Sequence, residues 1–390
     1  MKIMLLGVGM QGKAALHDLV QSADVSRVVA ADIDGAALDS YVRKKGYGSK
    51  VESLAIDAAQ PGMLESLLSA KCDAVIDLLP VRFSGKVAAA AVQHGVHLVN
   101  SVYPLPAVQQ LAAAALHQGV TILPEFGLDP GIDLVLLGEA VRTLDRVDEI
   151  TTYGAGFPEP KAAKNPLKYK VTWTFDGVLR SYRRASRVIR SGHIIDITDC
   201  EQFNPKHIHT IQVPGLGRME AFPNGDSVKY AEQLGLDPTK LRHMGRYTLR
   251  WPGHCEFWKK LVDLHLLDDE PLTLGEVSVN KRRFLAAAIE PHIRLGEQER
   301  DVIIIRIEVK GRKDGKKKHL LYQIIDRRDL QTGLTAMSRT VGFTASIGAQ
   351  LIASGRVRKR GILSPVCDIP YELFKKELFK RGIRIRTKIT

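Results

Sequence analysis

Along residues 1–124, short apolar runs alternate with segments whose apolar positions recur every three or four residues. The runs KIMLLGVG, VSRVVAADI, VESLAID, CDAVIDLLP, VHLVNSV and VTILPEF read as strands. The segments between them, QGKAALHDLVQS, GAALDSYVRKKG, PGMLESLLSA, GKVAAAAVQHG and VQQLAAAALHQG, read as helices. Strand–helix alternation at this spacing builds βαβ units, so the region is predicted to form a doubly wound parallel sheet.

From about residue 150 the pattern changes. Longer strand-like runs appear (KYKVTWTF, DVIIIRIEVKG, KKHLLYQIID) with helical segments between them, which predicts an α+β domain on a mixed sheet. The segment LTAMSRTVGFTASIGAQLIASG (334–355) is small and apolar nearly all round, the signature of a buried helix.

Composition narrows the picture without redrawing it. The chain has 390 residues, 45% hydrophobic and 25% charged, enough for two domains with their own cores. No apolar run reaches the ~18 residues of a membrane span, and the glycine-rich N-terminus is a poor signal peptide, so a cytoplasmic location with no membrane contact is expected. Cys72, Cys200, Cys255 and Cys367 are scattered, which reads as reduced thiols, with Cys255 a small buried residue rather than a nucleophile. His207 and His209 have ligand chemistry but no acidic or cysteine partner at useful spacing, so no metal is expected. The net charge is +13, and much of it sits in KGRKDGKKK (310–318), a hairpin tip turning at Asp314–Gly315. No aromatic residue interleaves these charges; they read first as solvated surface and second as an anion-attracting patch, not as a nucleic-acid surface.

GVGMQG places Gly7, Gly9 and Gly12 in a G-x-G-x-x-G pattern between the first strand and the first helix. That spacing permits a tight turn, close approach of a pyrophosphate and close helix packing, with free helix N–H groups facing the phosphates. Asp32 stands twenty residues past Gly12 at the end of the second strand, completing a Rossmann dinucleotide site. Met10 and Gln11 share the loop, and Ile33 adjoins Asp32. A carboxylate at position 32 suits the ribose hydroxyls and opposes a 2′-phosphate, so NAD is expected over NADP. Asp57 and Ala58 close the third strand at the adenine edge, and Leu79 and Pro80 close the fourth near the nicotinamide ribose. NSVYP (100–104) and EFGLDPG (125–131) end the fifth and sixth strands, which puts them around the reactive end of the cofactor.

EFGLDPGID, NPLKYKVTWTFDGVL, EAFPNGDSVKYAEQLGL, YTLRWPGHCEFWKKLVDLHLLDDEP and GLTAMSRTVGFTASIGAQLI together resemble the saccharopine dehydrogenase family over nearly the whole chain. The resemblance implies a Rossmann domain at 1–124, an inserted α+β substrate and dimerisation domain at 125–333, and a segment at 334–390 returning to the Rossmann domain. It also implies a homodimer and a small amino-acid substrate, oxidised at the ε C–N bond of a lysine derivative. The products would be 2-aminoadipate 6-semialdehyde and glutamate (from saccharopine) or ammonia (from lysine).

Such chemistry needs proton carriers and cationic clamps for carboxylates. The candidate proton carriers are His254, Asp129 and Tyr103, and the candidate substrate contacts are Arg250, Arg246, Lys229, Asp226 and Gly131. The family commonly carries arginine in an NRDS run, where this chain has NGDS with Gly225. That departure and Asp32 lean towards a smaller, lysine-like substrate with NAD, while GLDPGID and DLHLLDDEP lean towards saccharopine. A carboxylated polyamine is a third substrate, and a non-catalytic NAD-sensing protein on the same fold is the reading from another class.

Overall fold

Each of the six N-terminal apolar runs becomes a strand in the computed structural model of the protein, which describes residues 1–390. They are β1 (Lys2–Leu6), β2 (Arg27–Asp32), β3 (Val51–Ala55), β4 (Ala74–Asp77), β5 (His97–Asn100) and β6 (Thr121–Leu123). The helices between them are α1 (Met10–Gln21), α2 (Gly35–Lys45), α3 (Met63–Ser69), α4 (Ser84–Gln93), α5 (Pro106–Gln109) and α6 (Ala112–His117). All pairs are parallel, in the order β6-β5-β4-β1-β2-β3, with the short strand Gly361–Ile362 outside β6. Ile3, Leu5, Val28, Ala30, Val75 and Leu98 are fully buried, as strands covered on both faces must be. The strand order reverses between β1 and β4, and ligands of such sheets bind where that reversal opens a crevice at the strands' carboxyl ends.

The second regime contains α7 (Ile132–Arg142), β7 (Arg146–Pro158), α8 (Phe175–Ser181), β8 (Ser186–Arg190), β9 (His193–Ile197), β10 (His209–Val213), β11 (Gly217–Pro223), α9 (Val228–Gln233) and β12 (His243–Arg250). It continues with α10 (His254–Asp263), β13 (Pro271–Leu274), β14 (Val277–Asn280), α11 (Lys281–Ile289), β15 (Asp301–Lys313) and β16 (Lys316–Arg327). Last come α12 (Ala336–Ala353), β17 (Gly361–Ile362), α13 (Pro365–Asp368), α14 (Tyr371–Lys380) and β18 (Arg386–Ile389). The large sheet runs β10-β11-β12-β7-β15-β16-β18, with β8 on β12 and β9 on β8. Only β12 and β7 pair in parallel, so the sheet is mixed. The β15–β16 hairpin turns at Asp314 and Gly315, whose φ angles of 50° and 72° are those of a tight hairpin turn.

The chain divides into two compact units, Met1–Val135 with Ser338–Arg384, and Leu136–Met337 with Ile385–Thr390. Residues 125–135, which follow the expected boundary at 124/125, pack with the first sheet. The C-terminal segment also divides, since β18 pairs with β16 in the second unit. Within the first unit α12 lies close to α1. A side chain at Gly342 would meet the Gln11 carbonyl at 2.5 Å, which is why this helix is built of small residues. Asp18 of α1 takes the Arg381 guanidinium at 2.6 Å and the Gln350 amide at 3.3 Å.

KYKVTWTF is not a sheet strand. Tyr169, Val171 and Phe175 are buried at every second position or so, giving the strand-like period, but only Val171 makes a single bridge, to Arg294. The extended segment instead packs into the cluster of Phe175, Tyr182, Phe203 and Trp258. Conversely β7, the thirteen-residue strand RVDEITTYGAGFP between β12 and β15, was not foreseen, because glycine, threonine and acidic residues interrupt its apolar positions.

Fully buried Asp301 accepts the amides of Ala336 (2.8 Å) and Met337 (3.0 Å) at the start of α12. Burial pushes its carboxyl up to about 6 against these two bonds. Removing it with Asp301→Ala strands two buried donors and is expected to cost about 2 kcal/mol of stability, read from denaturant unfolding.

Candidate active site

The glycine loop has the three-way division of labour that its spacing calls for. Gly7 has φ +85°, and a side chain there would meet the Leu78 carbonyl at 2.7 Å. A side chain at Gly12 would collide with the Gly7 carbonyl, so α1 starts hard against the end of β1. A side chain at Gly9 would meet nothing within 4 Å: the space over the helix N-terminus is open. Gly9 caps α1 without a side-chain hydrogen bond, leaving the first amides directed at that space. Met10 and Ile33, 44% and 74% exposed, are apolar side chains at the carboxyl ends of β1 and β2. An open cradle, forward-pointing amides and exposed apolar flanks fit a dinucleotide.

Asp32 serves the loop as well as any ligand. Its Oδ2 accepts the Val8 amide at 2.6 Å and its Oδ1 the Asp34 amide at 3.1 Å. Asp34 in turn caps α2 through Ala37 at 2.9 Å. Asp57 closes its own turn onto the Ala59 amide (2.8 Å), and Ala58 is packed in the core. Leu79 is half-buried, Pro80 is exposed, and the Leu79 amide is held by Asp77 at 3.0 Å.

Asp77 is itself buried, and desolvation pushes its carboxyl up to about 7, opposed by that one backbone bond. A carboxyl whose folded value is raised takes up a proton on folding between the two values. Its cost is therefore relieved as pH falls through about 7 towards the ordinary carboxylate value. Asp77→Asn is expected to be more stable than the parent by about 2 kcal/mol at pH 8, with the difference vanishing near pH 4; matched thermal unfolding curves check this.

Two loops beyond β5 and β6 are tied together. The Glu125 amide donates to the Val102 carbonyl (3.0 Å) and the Phe126 amide to the Asn100 carbonyl (2.9 Å), which brings the segment of Tyr103 beside that of Asp129. GLDPGID is a closed loop. Gly127 donates to the Pro130 carbonyl (3.0 Å), Ile132 donates to the Gly127 carbonyl (3.0 Å), and buried Asp133 accepts the Gly131 amide (2.8 Å). The Asp129–Pro130 peptide is cis, and Gly131, with φ +144°, packs directly on Gly127. Glycine at 131 is required by that packing. Asp129 is half-buried on the same loop.

In the second unit, β12 presents Arg246 and Arg250 on one face, four residues apart. Both are almost fully buried. Arg246 lies over the Tyr230 ring at 4.9 Å, and Lys229 lies over the same ring at 4.5 Å. Arg250 lies over the Tyr169 ring at 5.2 Å and donates to the Leu249 carbonyl at 2.9 Å, while its Nε has no partner. No carboxylate pairs with it; its polar neighbours are Tyr169, Tyr182 and Cys255.

His254 begins α10 inside this cluster. Its Nε2 meets the Tyr182 hydroxyl at 2.8 Å, and its ring also hydrogen-bonds the Leu167 backbone. Burial, and then the Arg250 charge, hold it well below the ordinary histidine value, so it is neutral. Both nitrogens are taken by the protein, and His254 therefore fixes Tyr182 and α10 instead of offering a free lone pair. Glu220 completes that corner by accepting the amides of Gly253 (2.7 Å) and Cys255 (3.0 Å). Cys255 is buried and its thiol is pushed up, as expected of a core residue. Asp226 pairs with Arg187 at 2.6 Å and accepts the Val228 amide at 2.9 Å, so it shapes its loop.

Sequence reasoning missed three groups. Tyr182 joins His254 to Arg250. Arg184 and Arg187 reach the NGDS loop, at Asn224 (3.1 Å) and Asp226 (2.6 Å). The arginine-rich run RRASR (183–187) was the visible signal for the last two. His207 and His209 turn to different partners, Arg190 and Tyr153.

Comparison with known proteins accounts for this geometry. Residues 3–123 match the family described as saccharopine dehydrogenase NADP binding domain, and residues 127–383 match saccharopine dehydrogenase C-terminal domain. Alpha-aminoadipic semialdehyde synthase, mitochondrial, of Mus musculus is 25% identical over all of this chain and 48% of its own length, so the chain spans about half of that relative. Saccharopine dehydrogenase (NADP(+), L-glutamate-forming) of Saccharomyces cerevisiae is 25% identical, with 99% of this chain and 98% of the relative covered. The solved apo structure of the L-Glu-forming saccharopine dehydrogenase from Saccharomyces cerevisiae superposes with a TM-score of 0.85 at 23% identity, covering 100% and 99% of the two chains, and shows the same fold.

These matches overturn the expectation of NAD over NADP, since the matching domain is NADP-binding and the yeast relative is named for NADP(+). Asp32 also has a use within the loop, its oxygens accepting the amides of Val8 and Asp34, so an acidic residue at this position is not by itself a sign of NAD. No helix is long and apolar enough to cross a membrane. With family matches over both regions of the sequence and the fold in agreement, the chain belongs to the saccharopine dehydrogenase family.

Proposed function

We propose that this protein oxidises, with NADP, the bond between the ε-carbon and the bridging nitrogen of saccharopine. Saccharopine, NADP+ and water give 2-aminoadipate 6-semialdehyde, glutamate, NADPH and a proton. The observation that carries the reading is Arg250, a buried cation with an unpartnered Nε and no ion pair to a carboxylate. A buried unpaired charge is costly, and an anionic substrate group supplies what the fold withholds. The names of the fungal relatives add the glutamate-forming direction and the cofactor.

The residues divide the work. The glycine loop and the N-terminus of α1 hold the pyrophosphate, with Met10 and Ile33 against the adenine. Bound there, the dinucleotide supplies the hydride acceptor. Arg250 and Arg246 hold substrate carboxylates in bidentate fashion, with Lys229 beside Arg246. Asp129 and Tyr103, on loops hydrogen-bonded to each other, take the amine proton and pass it outwards. Gly225 does not strip its loop of cations, because Arg184 reaches it at Asn224 while Arg187 is paired with Asp226; this favours the three-carboxylate substrate over lysine.

The test offers saccharopine, lysine and a carboxylated polyamine, each with NADP and with NAD, and measures reduced cofactor and released amine. Glutamate release with NADP is expected. Ammonia from lysine would shift the assignment within the family. No turnover of any of the three by a protein that binds NADP would defeat the enzymatic reading.

A further inference from the structure

The basic hairpin tip takes no part in the chemistry proposed above, yet it walls a cavity of about 430 Å³ within the second unit. Arg146 and Asp148 come from the start of β7, Lys240 and Arg242 from the lead into β12, Lys310 and Gly311 from β15, and Lys317, Lys318 and His319 from β16. The strand register shifts between Lys310 and Gly311, and Gly311 packs directly on the Arg146 carbonyl. Bulges of this kind re-aim neighbouring side chains, here at the wall of a concavity.

Six lysines and arginines line the cavity and three carboxylates answer them. Asp148 pairs with Arg146 at 2.9 Å, Glu149 with Lys310 at 2.9 Å and also with Arg242, and Asp237 with Lys240 at 3.5 Å. Counting side chains alone, the cations therefore outnumber the acids by three, and Lys317 and Lys318 have no carboxylate of their own; Thr390 also lines the cavity. No aromatic side chain lines the cavity, so nucleic-acid bases have no stacking face, and it opens to solvent between exposed cationic side chains. Arg242 and Arg250 are eight residues apart along one strand, about 27 Å at ~3.4 Å per residue, which separates this cavity from the buried arginine cluster.

We propose that this cavity binds a small polyanion carrying two or more phosphate groups, at a site separate from the dinucleotide and substrate sites. Three excess positive charges match a di- or triphosphate group better than a single carboxylate, and several lysines with two arginines bind phosphate oxygens without demanding one fixed geometry. The inference stands independently of the reaction proposed above.

Isothermal titration of tripolyphosphate into the full chain, with NADPH present throughout, tests it against the double variant Lys317→Glu/Lys318→Glu. Neither lysine has an ion-pair partner to lose, and circular dichroism and a melting curve verify that the variant is folded. One site per chain is expected, weakened roughly ten- to a hundredfold in the variant, with partial recovery in Lys317→Arg/Lys318→Arg. Equal affinity in parent and variant, or no binding by the parent, overturns the proposal. Displacement of tripolyphosphate by a single-stranded oligonucleotide at lower concentration overturns it in favour of a nucleic-acid surface.

Discussion

Arg250→Met is expected to leave the protein folded and at least as stable as the parent, while kcat/KM for saccharopine falls roughly a hundredfold. The two effects have one origin. The guanidinium sits almost out of contact with solvent, faces two tyrosines and a neutral histidine, and forms no ion pair, the carboxylate of Glu220 opposite it being engaged by the amides of Gly253 and Cys255. Replacing an uncompensated buried charge by an apolar side chain of similar length removes a desolvation cost. If Arg250 served only the fold, its loss would lower stability, because Tyr182 and His254 would lose a neighbour they are packed around. Steady-state kinetics with saccharopine, beside denaturant unfolding of the substrate-free protein, separates the cases. A variant both less stable and still active would place Arg250 in the core rather than in the site. The loss should appear chiefly in KM, as expected of a contact made equally in ground and transition states.

Gly9→Val and Gly12→Val should fail in opposite ways. A side chain at Gly9 points into open space, so the fold tolerates it and the melting temperature is expected to stay close to the parent's. The same side chain fills the cradle over the first amides of α1, and NADP affinity is expected to fall by roughly a hundredfold or more. At Gly12 a side chain meets the Gly7 carbonyl, a backbone group that cannot swing aside as a flexible side chain would. There the expected outcome is a loss of about 3 kcal/mol or more of stability, with weaker binding only as a consequence. Fluorescence titration with NADPH and thermal melting of both variants read this out. Undiminished NADPH binding by Gly9→Val would remove the cofactor from the glycine loop.

The first sheet was legible because its strands are buried on both faces and its helices on one, and both facts write themselves into the sequence as runs and periods. Gly7, Gly9 and Gly12 were legible for a related reason: each answers to a local constraint fixed by spacing. Cofactor choice was not legible, because an acidic residue at position 32 can be there to hold the loop through the Val8 and Asp34 amides as well as to read a ribose. KYKVTWTF had the period of a strand because alternate side chains are buried, but pairing depends on a neighbour that the run itself does not specify. Arg250 was visible as a cation, yet what gives it weight, the lack of an ion pair although Glu220 stands opposite it on β11, arises only when β11, β12, α8 and α10 come together. His254 was visible as a candidate base by residue type, but its hydrogen bonds to Tyr182 and the Leu167 backbone were not, since both partners lie far away in the sequence. Arg187 is the reverse case, an unremarked member of a basic run that the fold carries to the loop holding Gly225.

The central claim is that hydride leaves the ε-carbon of the lysine moiety for NADP and that glutamate departs with the nitrogen. Saccharopine deuterated at that ε-carbon, and separately at the α-carbon of its glutamate moiety, measures this directly when the recovered NADPH and both products are analysed by mass spectrometry. The account predicts deuterium in NADPH only from the ε-labelled substrate, with one glutamate formed per NADPH. Deuterium transferred from the glutamate α-carbon, with 2-oxoglutarate and lysine as products, would contradict it.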